Sequence, residues 1–152
     1  MTEIRVRRAT PEDAPTLAEF NRRMALETEG KALDPATVLA GVVAVFADRE
    51  KGFYLVAANA SGIVGQSMVT REWSDWRNGW FWWIQSVYVR EDYRAQGVFR
   101  SIFAALEAEA LTVGNVVGLR LYVERDNDRA KAVYRRLGMD LPGYDVCEKR
   151  VR

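Results

Sequence analysis

The sequence predicts a single α/β (α+β) domain, a mixed sheet covered by helices over residues 1–152, and three observations predict it. Alternating and helix-spaced segments follow in the order strand, two helices, three strands, helix, strand, helix, strand. A glycine, Gly97, separates the fourth strand pattern from the helix pattern behind it. Finally, 152 residues that are 49% apolar suffice for one core and are too few for two comfortable domains.

Each element has its own signal. Ile4 to Arg8 alternate as a short strand. Thr10-Pro11-Glu12-Asp13 then supplies an N-cap, a proline at the first helical position and acids in the first turn, and Leu17, Phe20 and Met24 share one helical face. Asp34-Pro35 repeats that start; Val38, Leu39, Val42, Val43 and Phe46 recur at helical spacing until the charged run 48–51. From Phe53, FYLVAA, the turn 59–62 and IVGQSMVTREW read as a hairpin, and a polar loop from Ser74 to Gly79 leads into WFWWIQSVYV. After REDYRAQGVFR, the residues Phe99, Phe103, Leu106, Ala110 and Val113 predict a core-facing helix that Gly114 stops. Val117 to Val123 reads as a strand. Asn127 to Leu137 reads as a helix, capped by Asp126 or Asn127 and ended by Gly138, and the tail from Tyr144 to Val151 offers a last strand.

Composition excludes several classes of function. Lys and Arg nearly cancel Asp and Glu, and a formal charge of +1 provides no field to hold nucleic acid or an anionic membrane. With one cysteine, Cys147, and no histidine, internal disulfides, the usual zinc sets and Ser-His or Cys-His pairs are ruled out, so no metal is expected. The opening MTEIRVRRATPED lacks a signal-peptide core and no apolar run approaches membrane-spanning length, which makes a cytoplasmic protein the expectation.

The segment 87–100, VYVREDYRAQGVFR, carries the chemistry. A glycine at the start of a helix lets a phosphate approach backbone N–H groups that the helix itself cannot use, and the helix dipole favours its charge. Arg94 and Arg100 flank the point with cations. Taken alone, one glycine and two arginines also fit a plain tight connection with solvated side chains. No Gly-Lys-Ser/Thr follows and no G-x-G-x-x-G can be written, so neither a P-loop nor a dinucleotide fingerprint is present and another phosphate-bearing cofactor is needed.

Val89, Arg94 and Gly97 meet V-x-x-x-x-R-x-x-G, and this resembles the acetyl-CoA signature of the GNAT superfamily of N-acetyltransferases. Downstream, Asn127, Ala130 and Tyr134 lie three and four apart on one helical face and resemble that family's N-x-x-A-x-x-x-Y pattern, followed by Leu137-Gly138-Met139. The resemblance runs over nearly the whole chain in element order, with its diagnostic residues between Gln85 and Met139. It implies a mixed, mostly antiparallel central sheet of about six or seven strands flanked by about four helices. It also implies acetyl-CoA as cosubstrate, with the loop Arg94, Ala95, Gln96, Gly97, Val98, Phe99 and Arg100 against its pyrophosphate. Val87, Tyr88 and Val89 would lie along pantetheine, and Asn127, Ala130 and Tyr134 would complete the site. Phe99 stands where the family has a small residue; its amide can still face phosphate if the ring turns toward the core.

The resemblance further implies acetyl transfer to a small-molecule or peptide amine, with Tyr134 as the general acid. Many relatives carry a glutamate where this chain has Gln85, which leaves Glu124 and Glu72 as candidate bases acting through a water, although both also read as surface acids. An acceptor with an α-amino group, of reference pKa about 7.7–8.0, needs little help from a base. Trp73, Trp76, Trp80, Phe81, Trp82 and Trp83 crowd two strands; alternation sends Phe81 and Trp83 to one face and Trp80 and Trp82 to the other. Those not used by the core suit an acceptor pocket for a cationic or ring-bearing amine, or a subunit contact. The short last strand leaves room for a homodimer that completes the sheet. Two other readings stand beside the enzyme: a non-catalytic CoA-binding or regulatory domain, and an interaction protein with a tryptophan patch.

Overall fold

The computed structural model describes residues 3–152. The chain divides into two compact units, one ending at Leu121 and the other Tyr122–Arg152.

The first unit holds a five-stranded sheet in the order β1-β2-β3-β4-β5, formed by β1 (Arg5–Arg8), β2 (Phe53–Asn59), β3 (Gly62–Ser74), β4 (Gly79–Val89) and β5 (Val116–Leu121). Neighbouring strands are antiparallel except β4 and β5. Parallel strands need a crossover, and α3 (Val98–Val113) supplies it. Before β2 come α1 (Ala14–Glu29) and α2 (Pro35–Ala47).

Local chemistry starts these helices where the sequence predicts. Asp13 Oδ2 accepts the Thr10 amide at 2.8 Å and pairs with Arg7 at 2.7 Å; the turn Pro11–Asp13 is tightened to a 3-10 turn before α1. Asp34 accepts the Thr37 amide at 2.9 Å and caps α2.

Helices cover both faces of the sheet. Ala14, Leu17 and Ala18 of α1 and Val42 and Val45 of α2 are buried with Tyr54 and Val56 of β2. On the opposite face α3 buries Val98, Ile102, Phe103, Leu106 and Ala110. That face differs from the predicted one: Val113 is exposed and Phe99 half-buried, because Val98 leads the stripe by packing on β3. A Cβ on Gly65 would stand 2.7 Å from Val98 Cγ1 and 3.5 Å from Ile102 Cδ1, so the missing side chain lets α3 lie on the strand.

In the second unit, α4 (Asp128–Arg136) is capped by Asn127, whose Oδ1 accepts the Ala130 amide at 3.0 Å. It ends in a Schellman arrangement: Met139 donates to the Tyr134 carbonyl and Gly138 to the Arg135 carbonyl, both at 3.0 Å, with Gly138 at φ 89°. The expected strand from Tyr144 to Val151 does not form; residues 139–152 are irregular. A strand exists through its ladder, and this unit contains no second strand to pair with. The six or seven strands implied by the family resemblance are therefore corrected to five among the described residues, with four α-helices. Among those residues no helix is long and apolar enough to cross a membrane.

Candidate functional site

The site begins where β4 loses its regularity. Met68 faces Gln85 and Gln66 faces Tyr88, so Ser67 on β3 stands opposite both Ser86 and Val87 and β4 carries one extra residue. Ser86 takes φ 51°, the left-handed region that a non-glycine residue seldom enters. The extra residue turns Tyr88 to the other face. Trp82 lies edge-on to Phe53 at 5.3 Å on the α3 side, whereas Tyr88 meets Phe20 of α1 at 4.9 Å.

Beside the bulge β4 parts from β5. Their ladder runs from Trp80 and Val116 to Ile84 and Leu121, and within the first unit Gln85 to Val89 are paired only with β3. One edge of this stretch is thereby released from the sheet at the residues expected to meet pantetheine, Val87, Tyr88 and Val89.

From Val89 the chain makes a 3-10 turn at Glu91–Tyr93 and reaches Gly97 through Ala95 at φ 60°. Gly97 itself takes φ 78° and is the N-cap of α3, with no side chain capping the helix among the described residues. Ser101 donates to the Gly97 carbonyl at 3.0 Å, so the amides of Val98, Phe99 and Arg100 form the first turn of the helix, ahead of that hydrogen bond. A Cβ on Gly97 would meet nothing within 4 Å, so the glycine serves its backbone angle.

Side chains brace this turn from outside. Arg94 donates through Nε to the Val89 carbonyl at 2.9 Å and pairs with Glu27 of α1 at 2.7 Å; its guanidinium is raised above its ordinary value, first by that hydrogen bond. Gln96 donates to the Asp92 carbonyl at 3.1 Å. Arg100 is exposed beside the helix start, and the Phe99 ring lies 6.1 Å from buried Phe103. A cleft of about 520 Å³ next to the turn is lined by Arg23, Glu27, Tyr88, Arg90, Glu91 and Asp92.

Main-chain donors at a helix start and a released strand edge next to them fit a ligand that carries phosphate at one end and amide-rich chain at the other. Acetyl-CoA has that chemistry. Among the described residues no group of three or more His, Cys, Asp or Glu side chains is placed to hold a metal.

The remaining predicted residues fall as follows. Glu72 on β3 accepts from Arg120 at 2.9 Å and from the Trp83 indole at 3.1 Å, so both its oxygens are engaged. Gln85 donates to Thr70 Oγ1 across the same strand pair. Glu124, Asn127, Ala130 and Tyr134 belong to the second unit. Glu124 is exposed and its carbonyl accepts from the Asn127 amide at 3.0 Å. Tyr134 is half-buried, and burial raises its hydroxyl above the ordinary phenol value.

Sequence reasoning missed three features of the site: the bulge at Ser86, the Glu27 partner of Arg94, and the polar pair Gln66 and Ser67. The pair had a signal, since two adjacent polar residues interrupt the apolar pattern of β3. The bulge and the Glu27 contact had none, because each depends on elements far apart in the chain.

A sheet of this topology with a turn of this kind defines an acetyltransferase-type fold, and the comparisons with known proteins agree. The model of the acetyltransferase (GNAT) family matches residues 16–139, and the chain belongs to that family. A possible acetyltransferase from Clostridium difficile 630 is 45% identical, with 98% of each chain covered and a TM-score of 0.91. The ribosomal-protein-alanine N-acetyltransferase from Brucella melitensis biovar Abortus 2308 shares the fold at 14% identity and a TM-score of 0.79, over 98% of this chain and all (100%) of that one. An aminoglycoside N-acetyltransferase solved in complex with CoA shares it at 12% identity and a TM-score of 0.77, over 99% and 96%. No curated protein matches the chain.

Proposed function

We propose that residues 1–152 act as a single N-acetyltransferase domain that moves an acetyl group from acetyl-CoA directly to a primary amine. The observation that carries this reading is the continuity of β4: its edge is released after Ile84, and it leads within a short turn to the uncapped start of α3. The amides of Val98, Phe99 and Arg100 would take the pyrophosphate, with Ala95, Gln96 and Gly97 shaping the loop and Arg94 bracing it. Val87 to Val89 would pair with pantetheine and polarise the thioester carbonyl by main-chain donation, a role in which the side chains are indifferent.

Tyr134 would protonate the departing thiolate, since a phenol is protonated at neutral pH and burial leaves it so. Asn127 and Ala130, spaced to share a helix face with Tyr134, would contribute to cofactor binding. Of the two acids, Glu124 is the better base, because the oxygens of Glu72 are already taken by Arg120 and Trp83. The acceptor is a small-molecule or peptide amine, and an α-amino group would need the least help. A homodimer would cover the exposed Leu141, Tyr144, Val146 and Val151 of the tail, and a cytoplasmic setting suits the reaction.

The test is thiol release from acetyl-CoA in the presence of a panel of α-amino, polyamine and aromatic amines. Turnover with any of them supports the reading. One observation favours the second reading, a non-catalytic CoA-binding domain: where many relatives carry an acid, Gln85 is held to Thr70. Binding of acetyl-CoA without thiol release on the whole panel would favour it instead.

A further inference from the structure

The bulge in β4 removes main-chain groups from the ladder, and two neighbouring side chains of β3 take them up. Gln66 and Ser67 are both fully buried, at 0% exposure. Gln66 Nε2 donates to the Ser86 carbonyl at 3.0 Å and to Asn21 Oδ1 of α1 at 2.7 Å. Ser67 Oγ lies 3.4 Å from the Gln85 carbonyl. Because successive residues of a strand point to opposite faces, the bulge is gripped from both sides of the sheet.

The orientation of the Gln66 amide follows from its partner. A carbonyl can only accept, so the nitrogen must face Ser86. Its Oε1 then lies buried with no hydrogen-bond partner among the described residues. An unpaired buried acceptor is unfavourable, and packing alone would be met at less expense by leucine or methionine. The residue instead provides the one thing an aliphatic side chain lacks, a donor to a backbone carbonyl at a residue held at φ 51°. Ser86 would otherwise relax toward ordinary strand angles, and the direction of Val87 to Val89 would change with it.

Asn21 extends the link. Through it α1 reaches the bulge, and through Glu27 the same helix reaches Arg94 and, at 3.4 Å, the Tyr88 hydroxyl. The segment 86–94 is therefore tied at both ends to one rigid helix.

We infer that Gln66 is a positioning residue for the thioester: by holding the Ser86 carbonyl it fixes the main-chain donors of β4 that polarise the acetyl carbonyl. The inference rests on the acetyl-CoA reading given above. It assigns the role to a buried side chain that touches neither cosubstrate nor acceptor.

The experiment compares wild type with Gln66→Met, which keeps length and apolar volume but donates nothing, and with Asn21→Ala, which removes the second partner of the amide together with the Asn21 hydrogen bond to the Tyr54 hydroxyl. Affinities for acetyl-CoA and for CoA are measured by calorimetry, and the stretching frequency of the bound thioester is read by infrared difference spectroscopy with a carbonyl-labelled acetyl group. In wild type the bound carbonyl should absorb below its frequency in water. In Gln66→Met it should return toward the free value, and acetyl-CoA should lose about fivefold in affinity relative to CoA, the worth of about one net hydrogen bond. Asn21→Ala should move both readouts in the same direction by less, and keeps the test open if Gln66→Met does not fold. Parallel weakening of both ligands with an unchanged carbonyl frequency in the variants would show Gln66 to be merely structural and overturn the inference. Wild type that binds neither ligand would overturn the acetyl-CoA reading itself, and the inference with it.

Discussion

Glu27 of α1 holds Arg94 of the turn, carboxylate to guanidinium at 2.7 Å, while Arg94 Nε donates to the Val89 carbonyl at 2.9 Å. Arg94 thus fastens the last residue of β4 to a helix from the other end of the sequence. Its charge is already matched, and its planar fork is what the geometry uses. Arg94→Ala should weaken CoA binding about tenfold, the scale of one or two hydrogen bonds to charged groups. Arg94→Lys should recover little of that loss, since an ammonium cannot reproduce both contacts. Calorimetry checks this; recovery by lysine, with a steeper salt dependence, would mean that the cation attracts the phosphates directly.

Gly97→Ala should cost about 1 kcal/mol of stability in urea unfolding, because alanine must adopt φ 78°. No packing clash contributes, as the added methyl meets nothing within 4 Å. CoA affinity should fall further than stability does, since the strained residue relaxes by turning the neighbouring amides.

Gly65→Ala acts through contact. Its methyl would stand 2.7 Å from Val98 Cγ1, so α3 must move away from β3 at its first turn. A loss of about 1–3 kcal/mol is expected in the same unfolding assay, the range for overpacking a core site. The loss should be shared by CoA binding, because Val98 opens the helix whose amides form the turn.

Tyr134 should ionise above the ordinary phenol value of about 10, because burial disfavours its charged form. The folded state then holds the proton more tightly than the unfolded chain. Its contribution to stability is complete below the unfolded pKa and is lost as pH rises through the folded one. Difference absorbance of wild type against Tyr134→Phe measures the ionisation; an ordinary phenol titration would contradict the expectation. If Tyr134 is the proton donor, Tyr134→Phe should also lower turnover while leaving acetyl-CoA affinity within about twofold, well under the 1.4 kcal/mol of a tenfold change.

Much of this molecule was legible in its sequence because the relevant forces are local. Asp34 before Pro35, Gly97 before Val98 and Gly138 after Leu137 each mark a helix end by chemistry that acts within a few residues, and each stands where it was expected. The alternation of Trp80, Phe81, Trp82 and Trp83 was read correctly for the same reason, with Trp82 buried and Phe81 under the Arg120 guanidinium. Strict alternation fails three residues after Trp83, at Ser86. The bulge at Ser86 depends on Gln66, Ser67 and Asn21, and no local pattern in WFWWIQSVYV records it. The last strand was misread for the opposite reason: Tyr144, Val146 and Val151 have strand-like composition, but a ladder requires a partner strand.

The central claim is that the uncapped start of α3 and the released edge of β4 form one continuous binding surface for coenzyme A. It is tested most directly by following backbone amide resonances during a titration with CoA. Saturable shifts are expected at Val98, Phe99 and Arg100 together with Val87 to Val89, with Gly65 and the β1–β2 pairing little changed. Saturable binding that leaves the amides of Val98 to Arg100 unmoved, or no binding at all, would contradict it.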